Sequence, residues 1–186
     1  YPAFAQPKID GIRMIAHYDG KVTTFSRKGK PFTKMPHIEK ELEFYFKRLK
    51  LQSKTIYLDG ELYSDTLKFE ELAGAVRRSD CSEEILNQID YHIFDLFDLE
   101  LYEMPFKERM KYIYRTKDSE RCDKTLYDGL NFIKPVSTYL VTSEEDFRDF
   151  NNNGCIPNGY EGAMIRNGDG IYKLGHRSAD LQKLKE

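Results

Sequence analysis

The stretch Lys8-Ile9-Asp10-Gly11-Ile12-Arg13 sets a lysine just before an Asp-Gly turn, with an arginine five residues on. A lysine amine becomes a nucleophile when nearby cations or burial disfavour its ammonium form. A guanidinium pairs its planar fork with phosphate oxygens. Together they suit covalent attack on phosphorus, although a solvated lysine beside a turn would satisfy the same six residues. Leu58-Asp59-Gly60-Glu61-Leu62 puts two acids astride a glycine. A carboxylate there can bind a ribose hydroxyl or a hydrated Mg²⁺, or can simply flank a turn. Phe94, in Tyr91-His92-Ile93-Phe94-Asp95-Leu96, is either core or a face on which a base stacks. Glu161 stands beside Gly162, where a ligand can approach the backbone closely. In Leu181-Gln182-Lys183-Leu184-Lys185, strand alternation turns Lys183 and Lys185 to one face, and an anion such as phosphate would relieve their repulsion.

These residues need elements to carry them. Ala5-Gln6-Pro7-Lys8 reads as the end of a strand running into the turn. Arg13 to Tyr18 and Val22 to Ser26 flank Asp19-Gly20 as a hairpin. Ile38, Leu42, Tyr45, Phe46 and Leu49 recur at helical spacing, predicting a helix from about His37 to Lys50. Strands are predicted at Thr55 to Tyr63 and Tyr91 to Leu99, and a helix at Phe69 to Arg78. Pro105 opens a helix running to about Thr116. Ser143 caps another, which Asn151-Asn152-Asn153-Gly154 should stop. Tyr160 to Arg166, Gly170 to Leu174 and Leu181 to Lys185 read as three late strands, and Cys122 to Leu130 and Cys155 to Gly159 as loops. The expected fold is α+β, with antiparallel sheets flanked by helices.

The 186 residues are 40% hydrophobic and 32% charged, which fits one globular domain with a core. No apolar run is long enough to span a bilayer. Cys81, Cys122 and Cys155 form no CxxC pair, so a reducing, intracellular setting is expected rather than a zinc site or a disulfide framework. The four histidines show no H-E-x-x-H spacing. With a net charge of −2, nucleic acid would have to meet a local patch, such as Ser26-Arg27-Lys28-Gly29-Lys30 or the last lysines.

The order of these elements is more specific than any one of them. K-x-D-G-x-R, S-R-x-G, D-G-E, a Phe-Asp strand, E-G-x-M-x-R and K-x-K follow one another from Gln6 to Lys185. The series resembles the adenylation domain of ATP-dependent DNA ligases, within the covalent nucleotidyltransferases. The resemblance implies an ATP-grasp-like nucleotidyltransferase fold over residues 1–186. It also implies ATP as AMP donor, Mg²⁺ (or Mn²⁺) as metal, and nicked duplex DNA as partner. By it, Lys8 is the nucleophile that forms lysyl-AMP, and nearby cations should lower its pKa. Arg13 would hold a phosphate, and Arg27 would contact AMP and the DNA 5′-phosphate. Glu61 would bind the ribose, with a possible metal role, and Phe94 would stack on adenine. Glu161 would bind the metal, and Lys183 and Lys185 would neutralise the α-phosphate. Gln6 would read the adenine edge.

Ligases of this class carry an OB-fold domain after the K-x-K strand, whereas the sequence stops at Glu186 and begins without an initiator Met. The expectation is therefore a monomeric piece of a longer protein, impaired on its own. An RNA ligase would share Lys8, Glu61, Glu161 and the K-x-K lysines. A capping guanylyltransferase usually has Asp-Gly at 161–162 and a Trp in the last motif, and this sequence has no Trp. The non-enzyme alternative is a lapsed nucleotide-binding domain.

Overall fold

The computed structural model describes residues 1–32, 35–49, 53–78, 80–113, 126–175 and 178–184. Two sheets form the frame. Strands β1 (Ala3–Pro7), β7 (Tyr139–Val141), β8 (Ala163–Arg166) and β9 (Leu181–Leu184) make a four-stranded antiparallel sheet in the order β7-β1-β8-β9. Strands β2 (Ile12–Tyr18), β3 (Val22–Ser26), β4 (Ile56–Tyr63), β5 (Asp90–Asp98) and β6 (Ile133–Pro135) make a five-stranded sheet in the order β3-β2-β4-β5-β6. The pairing is antiparallel, as expected, except at one edge, where β6 runs parallel to β5. Glu41 secures that edge. Its carboxylate accepts the backbone N–H groups of Asn131, Phe132 and Ile133 at 2.8, 2.7 and 3.1 Å.

Strand alternation sorts the five-stranded sheet into two faces. Met14, Ala16, Leu58, Leu62, Tyr91, Ile93 and Leu96 are buried with Ile38, Leu42 and Tyr45 of helix α1 (Pro36–Arg48) in the larger core. Each fully buried Leu or Ile contributes about 1.5–3 kcal/mol, so this face supplies much of the stability. The opposite face carries Arg13, Asp59, Glu61, Asp95 and Phe97, and it turns toward the four-stranded sheet. The second sheet presents Phe4, Gln6, Met164, Arg166 and Lys183 on one face. Its other face buries Ala3, Ala5 and Ala163 against Phe147 and Cys155. Helices α2 (Phe69–Arg77), α3 (Glu83–Leu86) and α4 (Phe106–Ile113) complete the flanks of the larger sheet.

Three expectations about elements need correction. Helix α5 (Glu144–Asp149) starts as expected, with the Ser143 hydroxyl accepting Asp146 N–H at 3.0 Å. It does not stop at the asparagine run. The chain winds on as a π-turn over Phe150–Cys155 and a 3₁₀ turn over Ile156–Asn158. Phe147, Asn151 and Cys155 lie four apart and are 6, 2 and 0% exposed. Continued winding buries them, which outweighs the stop signal and removes the loop expected after Cys155. Gly170 to Leu174 is not a strand, apart from an isolated bridge between Ile171 and Pro105. The Gly170 carbonyl instead accepts from Phe106 N–H at 2.9 Å, at the start of α4. The end of the helix expected through Thr116 lies outside the described residues, as do Cys122 and His176.

Candidate active site

The lysine loop is fixed through its main chain. Lys8 N–H donates to the Gly162 carbonyl at 2.8 Å, and Glu161 N–H donates to the Lys8 carbonyl at 3.1 Å. The two side chains then meet as an ion pair, both partly exposed. Gly162 has φ +136°, and a Cβ there would lie 2.4 Å from the Leu184 carbonyl oxygen. Glycine is thus required where the loop, β8 and β9 converge. Gly11 serves the other side. A Cβ on it would meet the Leu62 carbonyl oxygen at 2.2 Å and Glu61 Cγ at 2.7 Å. The absence of a side chain lets the lysine loop lie directly on β4 at Glu61.

Glu61 is the costly group of the site. Burial, with Asp59's charge second, pushes its carboxyl up to about 8, and Arg13 and Lys8 only partly offset this. Arg13 stands opposite Glu61 across the strands but turns to Asp59. Its Nε and Nη2 donate to the two Asp59 oxygens at 2.8 and 2.6 Å. Asp59 is 1% exposed. Burial raises its carboxyl, and Arg13 partly opposes that rise. The hydrogen bond to Asp59 in turn raises Arg13 above the usual guanidinium range.

A β-bulge places Phe94. The register between β4 and β5 shifts between Asp59 and Gly60, which face Asp95 and Ile93, so Phe94 is the extra residue. Bulges re-aim side chains next to active sites. Gly60 accommodates the shift: a Cβ there would strike the Tyr91 ring at 2.6 Å. The Gln6 amide nitrogen donates to the Phe94 carbonyl at 3.1 Å and to Thr138 Oγ1 at 2.9 Å, tying the two sheets together. Gln6 is 1% exposed, so its amide nitrogen is held inside the protein.

Beside Phe94 lies an ionic node that motif reading missed. Asp95 accepts Arg109 Nε at 2.7 Å and Nη2 at 3.1 Å, and Arg166 Nη1 at 2.8 Å. All three side chains are buried. The Arg166 guanidinium carbon lies 5.5 Å from the Phe94 ring centre. Arg109 also donates to the carbonyls of Met104 and Gly170, at 2.6 and 3.1 Å. The node joins β5, β8 and α4. Tyr172, also missed, donates its hydroxyl to Asp59 at 2.6 Å. Asp95 and Arg166 belong to the Phe-Asp and E-G-x-M-x-R motifs, but nothing in the sequence paired them with each other, with Arg109 or with Tyr172.

The structure therefore brings Gln6, Lys8, Arg13, Glu61, Phe94 and Glu161 to the cleft between the sheets. Lys183 lies opposite Met164 on β9 and is exposed. Arg27 lies in the exposed turn after β3, whose last residue, Ser26, pairs with Met14. Lys185 lies outside the described residues. Lys8 departs from the expected surroundings. Its side chain is paired with an acid, Glu161.

Among the described residues, no group of three or more His, Cys, Asp or Glu is arranged to hold a metal by itself. Mg²⁺ is commonly held by one or two carboxylates together with substrate phosphates and waters. Glu61 and Glu161 fit that arrangement, and a cation would offset the cost of ionising Glu61.

Two facing sheets, with a main-chain-clamped lysine in the loop between β1 and β2, give the layout of a nucleotidyltransferase domain. Chlorella virus DNA ligase-adenylate superposes with a TM-score of 0.72 at 21% identity, covering 100% of this chain and 62% of that one. The bacteriophage T7 ATP-dependent DNA ligase, solved in complex with ATP, gives 0.73 at 16% identity, covering 99% and 62%. The family model described as "ATP dependent DNA ligase domain" matches residues 1–185, and the chain belongs to that family. A DNA ligase of African swine fever virus is 31% identical over 189 residues, covering 97% of this chain and 41% of its own length. DNA ligase 2 of Haloquadratum walsbyi is 25% identical, covering 97% and 28%. The chain thus spans about two fifths, or less, of the length of these relatives.

Proposed function

We propose that the chain is the adenylation module of an ATP-dependent DNA ligase, with Lys8 as the nucleophile. The observation that carries this reading is the clamp on Lys8. Its main chain is bonded to Glu161 and Gly162, and its amine meets Glu161 at the mouth of a cleft that also holds Glu61 and Phe94.

In the proposed reaction the Lys8 ammonium releases a proton to solvent and the amine nitrogen attacks the ATP α-phosphorus, shedding a second proton as the new bond forms. A P–N bond forms, the P–O bond to the β-phosphate breaks, and pyrophosphate leaves. Negative charge gathers on the phosphate oxygens, where fixed cations are most effective in the transition state. Arg13, Arg27, Lys183 and Lys185 are the cations we assign to that charge. We assign Phe94 to stack on adenine, Gln6 to its edge and Glu61 to accept a ribose hydroxyl. A Mg²⁺ held by Glu161 and Glu61 would neutralise phosphate charge and compete with Lys8 for the Glu161 carboxylate. A 5′-phosphate oxygen of a DNA nick would then attack the AMP phosphorus, breaking the P–N bond and freeing Lys8, and attack by the 3′-hydroxyl on the adenylated 5′-phosphate would seal the strand and expel AMP.

The partners we infer are nicked duplex DNA and an OB-fold domain that closes over the cleft, in an intracellular setting. Among the described residues no helix is long and apolar enough to cross a membrane. The test is intact mass after incubation with ATP, GTP or NAD in the presence of Mg²⁺, followed by sealing of nicked DNA and nicked RNA by a longer form of the protein. A gain of one AMP from ATP alone, with DNA sealed, supports the reading. A gain of GMP from GTP overturns it in favour of a capping-type enzyme.

A further inference from the structure

We infer that Tyr172 is a positioning residue, whose hydroxyl holds the Arg13 guanidinium in the orientation that meets the nucleotide. This rests on the adenylation reading above. The Tyr172 hydroxyl donates to Asp59 Oδ2 at 2.6 Å and accepts from Arg13 Nη2 at 3.0 Å. Arg13 Nη2 also donates to the same Asp59 oxygen at 2.6 Å. Arg13, Asp59 and Tyr172 thus close a three-membered ring of hydrogen bonds. A guanidinium has five N–H groups. These bonds use the one on Nε and those on Nη2, leaving the two on Nη1 for a ligand, on a side chain 39% exposed.

Tyr172 is itself held from several sides. Its ring stacks on Phe97 (centroids 4.4 Å), which stacks on Tyr57 (4.9 Å), which stacks on His17 (4.3 Å). His17, Tyr57 and Phe97 are cross-strand partners on the cleft face, and Tyr172 extends their row from outside the sheet. Arg109 lies 5.7 Å from the Tyr172 ring centre and also bonds the Gly170 carbonyl, which fixes the backbone two residues earlier. Packing alone would be served equally by phenylalanine. The hydroxyl is directed at the two groups that set the pose of Arg13. Burial keeps the phenol well above its ordinary pKa, so it remains an O–H donor across neutral pH.

Tyr172→Phe keeps the ring row and removes only this contact. In a lysyl-AMP formation assay its KM for ATP should rise about tenfold while kcat stays within about twofold, as expected when binding shared by ground and transition states is lost. In an Arg13→Lys background the same change should add less than about twofold, because coupled partners are non-additive. Phe97→Leu keeps the hydroxyl but removes the ring beneath it, and should raise KM by a smaller factor. Tyr102→Phe, at an exposed tyrosine, is the control. Independently of activity, solvent exchange of the Arg13 Nε–H, assigned by NMR through its loss in Arg13→Lys, should be about tenfold faster in Tyr172→Phe. An unchanged KM together with unchanged exchange overturns the inference. A longer form of the protein that takes up no AMP overturns the adenylation reading instead. The exchange result then decides the positioning of Arg13 alone.

Discussion

Replacing Glu61 by Gln should stabilise the ligand-free protein and flatten its dependence on pH. Burial raises this carboxyl from 4.5 to about 8, with the charge of Asp59 adding and Arg13 and Lys8 opposing. Between those two values the folded state keeps a proton that the unfolded chain has released. Stability therefore falls as pH rises through that window, and the contribution is fully present only below 4.5. At about 1.4 kcal/mol per pH unit, the interval from the unfolded value to pH 7 corresponds to roughly 3 kcal/mol, an upper figure because the side chain keeps some contact with water. The amide has the same shape and does not bear this cost. For a domain of this size about 2–4 °C of Tm accompanies each kcal/mol, so Glu61→Gln should melt several degrees above wild type at pH 8 and about level with it at pH 5. Asp59 is raised in the same direction and is present in both proteins. The assay is urea unfolding followed by circular dichroism at pH 5, 7 and 8, with EDTA present. A variant less stable than wild type at pH 8, or a gap equal at pH 5 and pH 8, would refute the argument. The gain in stability should come with weaker ATP binding, since a carboxylate kept at such cost belongs to a ligand.

Other consequences concern the frame. Asp95→Asn leaves Arg109 and Arg166 buried without their shared counter-ion, and should cost about 3–5 kcal/mol in urea unfolding. Gly11→Ala drives a methyl group into the Leu62 carbonyl and Glu61, and should lower stability by more than about 2 kcal/mol while disturbing ATP uptake. An alanine protein with wild-type Tm would contradict that packing. Cys155 is 0% exposed and burial pushes its thiol up to about 11. In the native protein at pH 8 it should resist iodoacetamide, and its modification before unfolding would show that the π-turn opens.

What could be read from the sequence was whatever a single segment encodes. Lys8, Arg13, Glu61 and Glu161 each sit at a strand–turn pattern, so their elements and relative order were legible. The contacts among Asp95, Arg109 and Arg166, and that of Tyr172 with Asp59, were not, because the four come from different segments that only the tertiary fold brings together. Three-residue strands such as β6 and β7 are too short to show periodicity, and the parallel edge depends on a glutamate about ninety residues away in sequence. The asparagine run misled because burial of Asn151 and Cys155 outweighed local preference. Gly170 to Leu174 misled because its main chain bonds to α4 rather than to a strand, and that departure carries Tyr172 to Asp59. The acid beside Lys8 was visible as Glu161, but its contact with the amine was not, since sequence order says nothing about which charges meet across a sheet.

The most direct test is to incubate the protein with ATP and Mg²⁺, digest it and locate the added AMP by peptide mass spectrometry. AMP on the peptide carrying Lys8, acid-labile as a phosphoramidate and absent from Lys8→Ala, is the predicted result. AMP on another lysine, or label retained by Lys8→Ala, would contradict the assignment of the nucleophile.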